Sequence, residues 1–351
     1  MKKRLLCIVL SMLLIGLTLD ASAYFSFMPT REYDGVTYEA RSDNSITTML
    51  LIGYDHRDFG EMETILADYT EGGQSDFLLL LVFDHDNKQI RQLQLNRDTI
   101  TPIRVYSRDG KVTGLRNDLQ LCLSHAFGNT QELNNQNAIW AVENLLGIQD
   151  ENDGAEIDWY ISMDISGISK LNDLMGGVTV PINHDFSYFD KTMVPGTVMT
   201  LQGYQAEIYC RHRYYIGDSS NLCRMERQRT YMAAAAKQLR EKVSADVNFA
   251  SYLLNGMGIT FDTTKNVDAG FGFTTSDNNG TPITDTPDHY LMTNRSLDGL
   301  VSMVAKVMDY EIMPTEVLPG VSRKGETYME HILEEDAGLK WALDALYNPV
   351  E

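Results

Sequence analysis

Five arginines, Arg211, Arg213, Arg224, Arg227 and Arg229, crowd the stretch RHRYYIGDSSNLCRMERQR in a chain whose formal net charge is −20. Arginine presents a rigid planar fork of donors that takes phosphate oxygens in parallel pairs. A cluster of forks on an acidic chain points to a phosphorylated ligand; the plainer alternative is a solvated helix start paired with Asp218 and Glu226. Three acid-bearing groups lie upstream: Gly53-Tyr54-Asp55-His56-Arg57, Gln74-Ser75-Asp76 and Asn96-Arg97-Asp98-Thr99. Carboxylates that converge with guanidinium groups suit a Mg²⁺ held between them and phosphate oxygens. Phosphoryl transfer needs little more, because its catalysis is mostly positioning and charge neutralisation. Taken singly, each aspartate is better explained as a strand-end turn or a helix cap. What changes the balance is where the elements put them.

Thr48–Gly53 reads as a strand ended by glycine, so Asp55 follows it directly. Ser75–Asp84, SDFLLLLVFD, is too apolar for one wet face and reads as a central strand covered on both sides. The turn pair Asp86-Asn87 joins it to a strand over Lys88–Leu95. Antiparallel pairing then brings Asp76 and Asn96–Asp98 to one end of a sheet, and an antiparallel first strand brings Asp55 there too. Helices are expected over Leu115–Phe127, Asn134–Leu146, Asp164–Leu174, Leu201–Tyr209, Leu222–Val243, Asp246–Met257, Arg295–Tyr310 and Glu334–Leu346. Strands are expected over Ile157–Met163 and Val178–Pro181, and near Glu316–Leu318 and Tyr328–Ile332. Asp262–Pro287, rich in Thr, Asn, Gly and Asp, reads as a loop. Strands alternating with helices give an α/β class, with a mixed central sheet because of the hairpin.

The 351 residues, 43% apolar and 22% charged, allow one large core or two modest ones at ~150 residues per domain. The acidic balance excludes a non-specific nucleic-acid binder, which needs a broad basic face. Lys2, Lys3 and Arg4, the apolar run Leu5–Leu19 and then Ala21-Ser22-Ala23 form a secretory-signal pattern, cleaved after Ala23 or retained as an anchor. In either case the rest of the chain is extracytoplasmic. Residues 1–23 are thus a targeting segment and 24–45 a spacer. Beyond the signal, Cys122, Cys210 and Cys223 make an odd set and imply no complete disulfide framework. A Cys210–Cys223 bridge stands as the alternative to three buried thiols. His125 and His212 read as structural; His212 alternates with Arg211 and Arg213 and faces away from them in an extended segment.

The ordered set GYDHR, QSD before an apolar strand, QLNRDT, SHAFG, LNDLMGGVTVPI and LQGYQAEIYCRHR…CRMERQR resembles the LytR–CpsA–Psr family, over roughly Thr48 to Val243. The resemblance implies a catalytic domain over 46–243; residues 244–351 lie outside it and are expected as a C-terminal α+β flank packed on the same domain, with a small appended unit as the alternative. It implies transfer of a glycopolymer from a polyprenyl-pyrophosphate carrier, at the bacterial membrane, to peptidoglycan, leaving a phosphodiester link. By the same resemblance Asp55 and Asp76 hold Mg²⁺ (or Mn²⁺). Arg97, Arg211 and Arg213 grip the pyrophosphate; Arg224, Arg227 and Gln228 line that pocket; Asp98 either orients an arginine or acts as base. A lipid tail is expected between sheet and helices, where Leu78, Leu80, Ile139, Val142 and Leu174 are candidates to line it, although plain core packing is the better explanation for most of them singly. Three positions depart from the pattern: Gln74 for arginine, Asn96 for proline and Ser124 for asparagine. Glutamine donates a hydrogen bond but cannot neutralise charge, so a non-catalytic binder of carrier lipid or wall polymer is the alternative, and a simple pyrophosphatase a weaker one.

Overall fold

A computed structural model describes residues 30–55, 73–107, 109–128, 130–149, 155–262 and 290–350. A seven-stranded mixed sheet organises it. In chain order the strands are β1 (Ile46–Tyr54), β2 (Ser75–Asp84), β3 (Gln89–Leu95), β4 (Trp159–Asp164), β5 (Ile259–Phe261), β6 (Leu291–Thr293) and β7 (Glu311–Glu316). Their spatial order is β5-β6-β4-β1-β2-β3-β7. β1 and β3 pair antiparallel with β2, whereas β4 runs parallel to β1 and β7 parallel to β3.

The uninterrupted apolar run of β2 follows from its central place. Side chains alternate across a strand, and both faces of this one are covered. Leu78, Leu80 and Val82 enter a core with Leu50, Ile52, Leu93 and helices α1 (Gln131–Leu146) and α7 (Ala337–Leu346). Leu81 and Phe83 face Met49, Ile90 and α6 (Leu297–Lys306) on the other side. Helix α1 begins at Thr130, whose hydroxyl accepts from Leu133 N at 3.2 Å, and ends at Gly147 with φ 69°. At Gly338 of α7 a Cβ would fall 1.9 Å from the Leu145 carbonyl, so only glycine permits that approach to α1.

A second core joins α2 (Gly167–Leu174), α3 (Gly203–Arg211) and the long α4 (Asn221–Ala245) to a small hairpin, Thr179–Ile182 with Thr197–Thr200. Phe186, Tyr209 and Tyr231 are buried in it with Val180 and Ile182. Helix α5 (Phe249–Met257) follows and packs on α2, α4 and α6. Residues beyond 244 supply three strands of the main sheet, so they are built into it rather than appended.

Two stretches differ from the reading of the sequence. The expected helix Leu115–Phe127 is a strand, Val112–Gln120, paired with Ile100–Tyr106, followed by a 3₁₀ turn over Leu121–Ala126. Leu115, Leu119 and Leu123 imitate a helical stripe, but Leu115 is exposed while Leu119 and Leu123 are buried under the hairpin. The expected spacer carries two strands, Thr30–Tyr33 and Val36–Ala40, and Val36–Ala40 pairs with Tyr347–Pro349 near the chain's other end. The signal segment and most of the 262–287 loop lie outside the described residues. Among the described residues no helix is long and apolar enough to cross a membrane.

Leu50 lies on β1 with no exposed surface. Leu50→Ala should lower the unfolding free energy by about 2–5 kcal/mol in urea denaturation. Val198→Ala, on an exposed side chain, should change it by less than about 0.5 kcal/mol.

Candidate active site

The end of the sheet where β1 finishes and β2 begins carries a bulge. Gly53 pairs with Phe77 and Tyr54 with Ser75, which leaves Asp76 as the extra residue on β2. A bulge breaks the strict alternation of a strand and re-aims one side chain. Asp55 leaves β1 beside it, and two bonds clip it to Gln74: Asp55 N donates to Gln74 O at 3.0 Å, and Gln74 N donates to Asp55 Oδ1 at 2.7 Å. A Cβ at Gly73 would land 1.2 Å from the Asp55 carbonyl, so that closure requires glycine. Leu95 of β3 lies opposite Leu78, so Asn96, Arg97 and Asp98 leave β3 at this same end.

Asp76 is the meeting point. Arg97 Nη1 forms a very close ion pair with Asp76 Oδ1, and Arg224 Nη1 donates to Asp76 Oδ2 at 3.0 Å. Arg97 is held further by Gln74 Oε1 at 2.6 Å and Cys122 Sγ at 3.1 Å, both taking Nη2. Arg224 Nη2 donates to Asn221 Oδ1 at 2.7 Å; Asn221 Nδ2 donates to Asn96 Oδ1 at 2.8 Å, which also takes Asp98 N at 3.0 Å. A continuous polar chain therefore ties the start of α4 to the loop after β3. Asp98 Oδ1 lies 3.5 Å from Arg97 Nε and accepts from Gln120 Nε2 at 2.7 Å.

Burial shapes the charges. Burial raises the Asp98 carboxyl above its ordinary range, with Arg97, Arg213 and Arg224 opposing the shift. Arg224 is pushed down to about 9 by burial, then by Arg97 and Arg213, and it stays protonated at neutral pH. Its Nε is buried without a hydrogen-bond partner.

The remaining arginines divide. Arg211 is exposed and pairs with Glu207 at 3.0 Å on the rim of the cleft. Arg213 donates from Nη2 to the Tyr214 hydroxyl at 3.0 Å and acts electrostatically on Asp98 and Arg224. Arg227, expected in the phosphate pocket, is instead a buried staple. Its Nε donates to Tyr209 O at 3.0 Å, its Nη2 to His212 O and its Nη1 to Cys223 Sγ at 3.3 Å. It ties α4 to the end of α3, with all three of its nitrogens engaged within the protein. Gln228 lines the cleft but is engaged on both sides, donating to Cys210 O and accepting from Gln94 Nε2, each at 3.2 Å.

A narrow cleft lies between this sheet end, α2, α3 and α4. Asp76, Arg211 and Arg224 form its polar end, while Phe77, Met163, Ile165 and Ile168 form an apolar wall. The tail-lining residues expected from the sequence are not among them. Leu78, Leu80, Ile139 and Val142 are closed into the core of α1 and α7, and Leu174 packs on the second core. The missed wall residues carry only a strand-parity signal: Phe77 opens the face of β2 opposite Leu78. Cys122, Gln120 and Asn221, also missed, are uncharged groups brought in from distant segments. His125 is fully buried and held neutral, pushed down to about 4 by burial; its ring stacks on Tyr54 and bonds Gly73 O at 2.8 Å. Cys122, Cys210 and Cys223 are all free thiols.

Among the described residues no group of three or more His, Cys, Asp or Glu side chains forms a metal cluster. A Mg²⁺ site needs less, since the ion is commonly held by one or two carboxylates together with substrate phosphates and waters. Asp55 and Asp76, on adjacent chain segments at one sheet end, have the right donor chemistry. Asp76 would have to give up one of its guanidinium partners to serve.

The two arginines that the sequence groups together should behave oppositely. Arg227→Ala leaves buried carbonyls without donors, at about 1–3 kcal/mol each, and should lower the melting temperature clearly. Arg211→Ala removes an exposed helix pair and should change stability by less than about 0.5 kcal/mol. Thermal melts of the two variants check this.

Comparison with known proteins fits this geometry. The chain is 29% identical over 199 residues to the polyisoprenyl-teichoic acid–peptidoglycan teichoic acid transferase TagU of Halalkalibacterium halodurans, covering 57% of this chain and 58% of that protein. It is 28% identical over 175 residues to biofilm regulatory protein A of Streptococcus mutans, covering 48% and 39%. The chain thus spans about half the length of the curated relatives it matches. Among solved structures, B. subtilis TagV superposes with a TM-score of 0.57 at 17% identity, over 86% of this chain and 96% of that one. TagT bound to LI-WTA superposes with a TM-score of 0.52 at 15% identity, over 90% and 91%. At such identities the likeness shows a shared fold. The model of the LytR_cpsA_psr family matches residues 25–269, well over half of the sequence, and the chain belongs to that family.

Proposed function

We propose that this chain is an extracytoplasmic phosphotransferase that moves a glycopolymer from a polyprenyl-pyrophosphate carrier at the bacterial membrane to peptidoglycan. The observation that carries this reading is the pairing of Arg97 and Arg224 on Asp76 at the head of a cleft with an apolar wall. A charged head with an adjoining apolar wall matches an amphiphilic phosphate. The relatives named as transferases of polyisoprenyl-linked teichoic acid support the same substrate class.

In this reading Arg97, Arg224 and Arg213 bind the pyrophosphate and oppose the charge that spreads over its oxygens, with Arg211 at the rim. An acceptor hydroxyl attacks the phosphorus that bears the polymer. The bond to the bridging oxygen breaks, and polyprenyl phosphate leaves with that electron pair. Asp98 takes the hydroxyl proton; a buried carboxylate with a raised pKa suits a base better than an ordinary one. Gln120 and Arg97 fix its orientation. Asp55, Asp76 and Asp98 roughly cancel Arg97, Arg213 and Arg224. A Mg²⁺ or Mn²⁺ between Asp55, Asp76 and the phosphates would supply the missing positive charge.

The alternative of a non-catalytic carrier binder draws on Gln74. Its oxygen fixes Arg97 but adds no charge, which favours binding over turnover and predicts a slower enzyme.

Incubation with a polyprenyl-pyrophosphate-linked sugar should release polyprenyl phosphate, read by mass spectrometry. Release should depend on Mg²⁺ and be lost in Arg224→Ala. Intact substrate that co-purifies with the chain would establish the binder instead. A base at Asp98 requires the ionised form, so the rate should fall as pH drops through a pKa above the usual carboxylate range. Asp98→Asn should remove that acid limb along with most of the rate. A wild-type profile flat down to pH 4 would exclude Asp98 as the base.

A further inference from the structure

Beside the arginine end of the cleft lies a surface that the reaction described above does not use. Tyr188, Tyr214 and Tyr215 are 71%, 65% and 73% exposed. Large aromatic side chains are normally covered, and here Tyr188 and Tyr215 are joined with Phe189 and His212 in a run of ring contacts. Tyr188 lies 5.0 Å from Tyr215 and 5.0 Å from Phe189, centroid to centroid, and Phe189 lies 4.4 Å from His212.

The display is built rather than slack. Tyr215 has φ 66°, a left-handed conformation that a bulky residue rarely adopts and that must be held by its surroundings. On its C-terminal side Ile216 is fully buried in the second core. Gly217 then passes so close to α4 that a Cβ would meet Cys223 Sγ at 2.6 Å. On its N-terminal side the His212 carbonyl is fastened by Arg227. The loop is pinned on both flanks of the exposed rings.

The surface adjoins the cleft along the chain: His212, which meets the Phe189 ring, follows Arg211 on the rim. The Arg213 guanidinium lies over the Tyr214 ring at 4.9 Å and donates to its hydroxyl, and the same arginine acts on Asp98 and Arg224. We propose that Tyr188 and Tyr215, with Phe189 and Tyr214, form a stacking platform for the sugar rings of the acceptor glycan, leading one of its hydroxyls toward Asp98. The proposal rests on the phosphotransferase reading and names the place of its second substrate. The faces of pyranose rings present C–H groups of slight positive charge, which pack on the negative faces of aromatic rings. Phenol hydroxyls at the platform edge meet sugar hydroxyls. The neighbouring charges, Asp185, Asp190, Glu207 and Asp218 against Lys191, Arg211 and Arg213, carry no basic excess to hold an anionic lipid surface and leave an uncharged saccharide as the better partner.

The test uses the full chain and a soluble, lipid-free oligosaccharide of the N-acetylhexosamine repeat, titrated by calorimetry. Tyr188→Ala/Tyr215→Ala should weaken binding roughly tenfold or more. Tyr188→Phe, which keeps the ring, should bind close to wild type and so separates stacking from misfolding. Equal affinity in wild type and the double variant would overturn the proposal. So would absence of glycan binding together with tyrosine-dependent binding to phospholipid vesicles, which would make the platform a membrane contact. A carrier pyrophosphate lipid is titrated in parallel. Carrier binding without glycan binding removes the platform and leaves the phosphotransferase reading standing. Tyrosine-dependent glycan binding without carrier binding supports the platform and removes that reading.

Discussion

One carboxylate sets the terms for this site. Asp76 stands between Arg97 and Arg224, which come from the far end of a hairpin and from a helix that starts more than a hundred residues later. Two guanidinium groups cannot be brought together out of water without an anion between them. Asp76 supplies that anion, and it faces them because a bulge lifts it out of the alternation of β2. The bulge, the two arginines and the apolar wall of the cleft are therefore one device. Each carries meaning only where the others are present.

The supports of this device come from unexpected distances. The Asp98 carbonyl accepts from His331 N at 2.8 Å, and Gln120 Nε2 donates both to Asp98 Oδ1 and to Met329 O at 2.8 Å. The hairpin formed by Gly320–Lys324 and Met329–Leu333 lies beyond residue 269, where the family match ends. It nevertheless buttresses the loop that carries Arg97 and Asp98. With β7 at the sheet edge, the C-terminal part of the chain holds the site's geometry.

Much of the fold was legible in the sequence because strong periodic signals agree with their surroundings. Ser75–Asp84 is a central strand with the boundaries its apolar run implies, and the convergence of Asp55, Asp76 and Arg97 at one sheet end follows from two antiparallel pairings. What was not legible has particular causes. The Leu115–Leu119–Leu123 spacing fits a helix, and only the pairing of Val112–Gln120 with Ile100–Tyr106 decides against it. Arg227 has the same side chain and spacing as its neighbours, so nothing local says that its donors are consumed by backbone carbonyls of α3. Cys122 and Asn221 join the network through uncharged atoms, which carry no signature in a single sequence. Phe77 separates from Leu78 only by strand parity, and parity assigns a face without saying what lies over it.

The sharing of Asp76 is tested most directly by a double-mutant cycle read as affinity for a polyprenyl pyrophosphate. Asp76→Ala, Arg224→Ala and the double variant are titrated by calorimetry under identical salt and Mg²⁺. If the carboxylate and the guanidinium act as a unit, the double variant loses little more than the worse single one, with a coupling on the order of 0.5–3 kcal/mol. Losses that simply add, or an Asp76→Ala protein that binds as well as wild type, would show that Asp76 does not organise the phosphate grip.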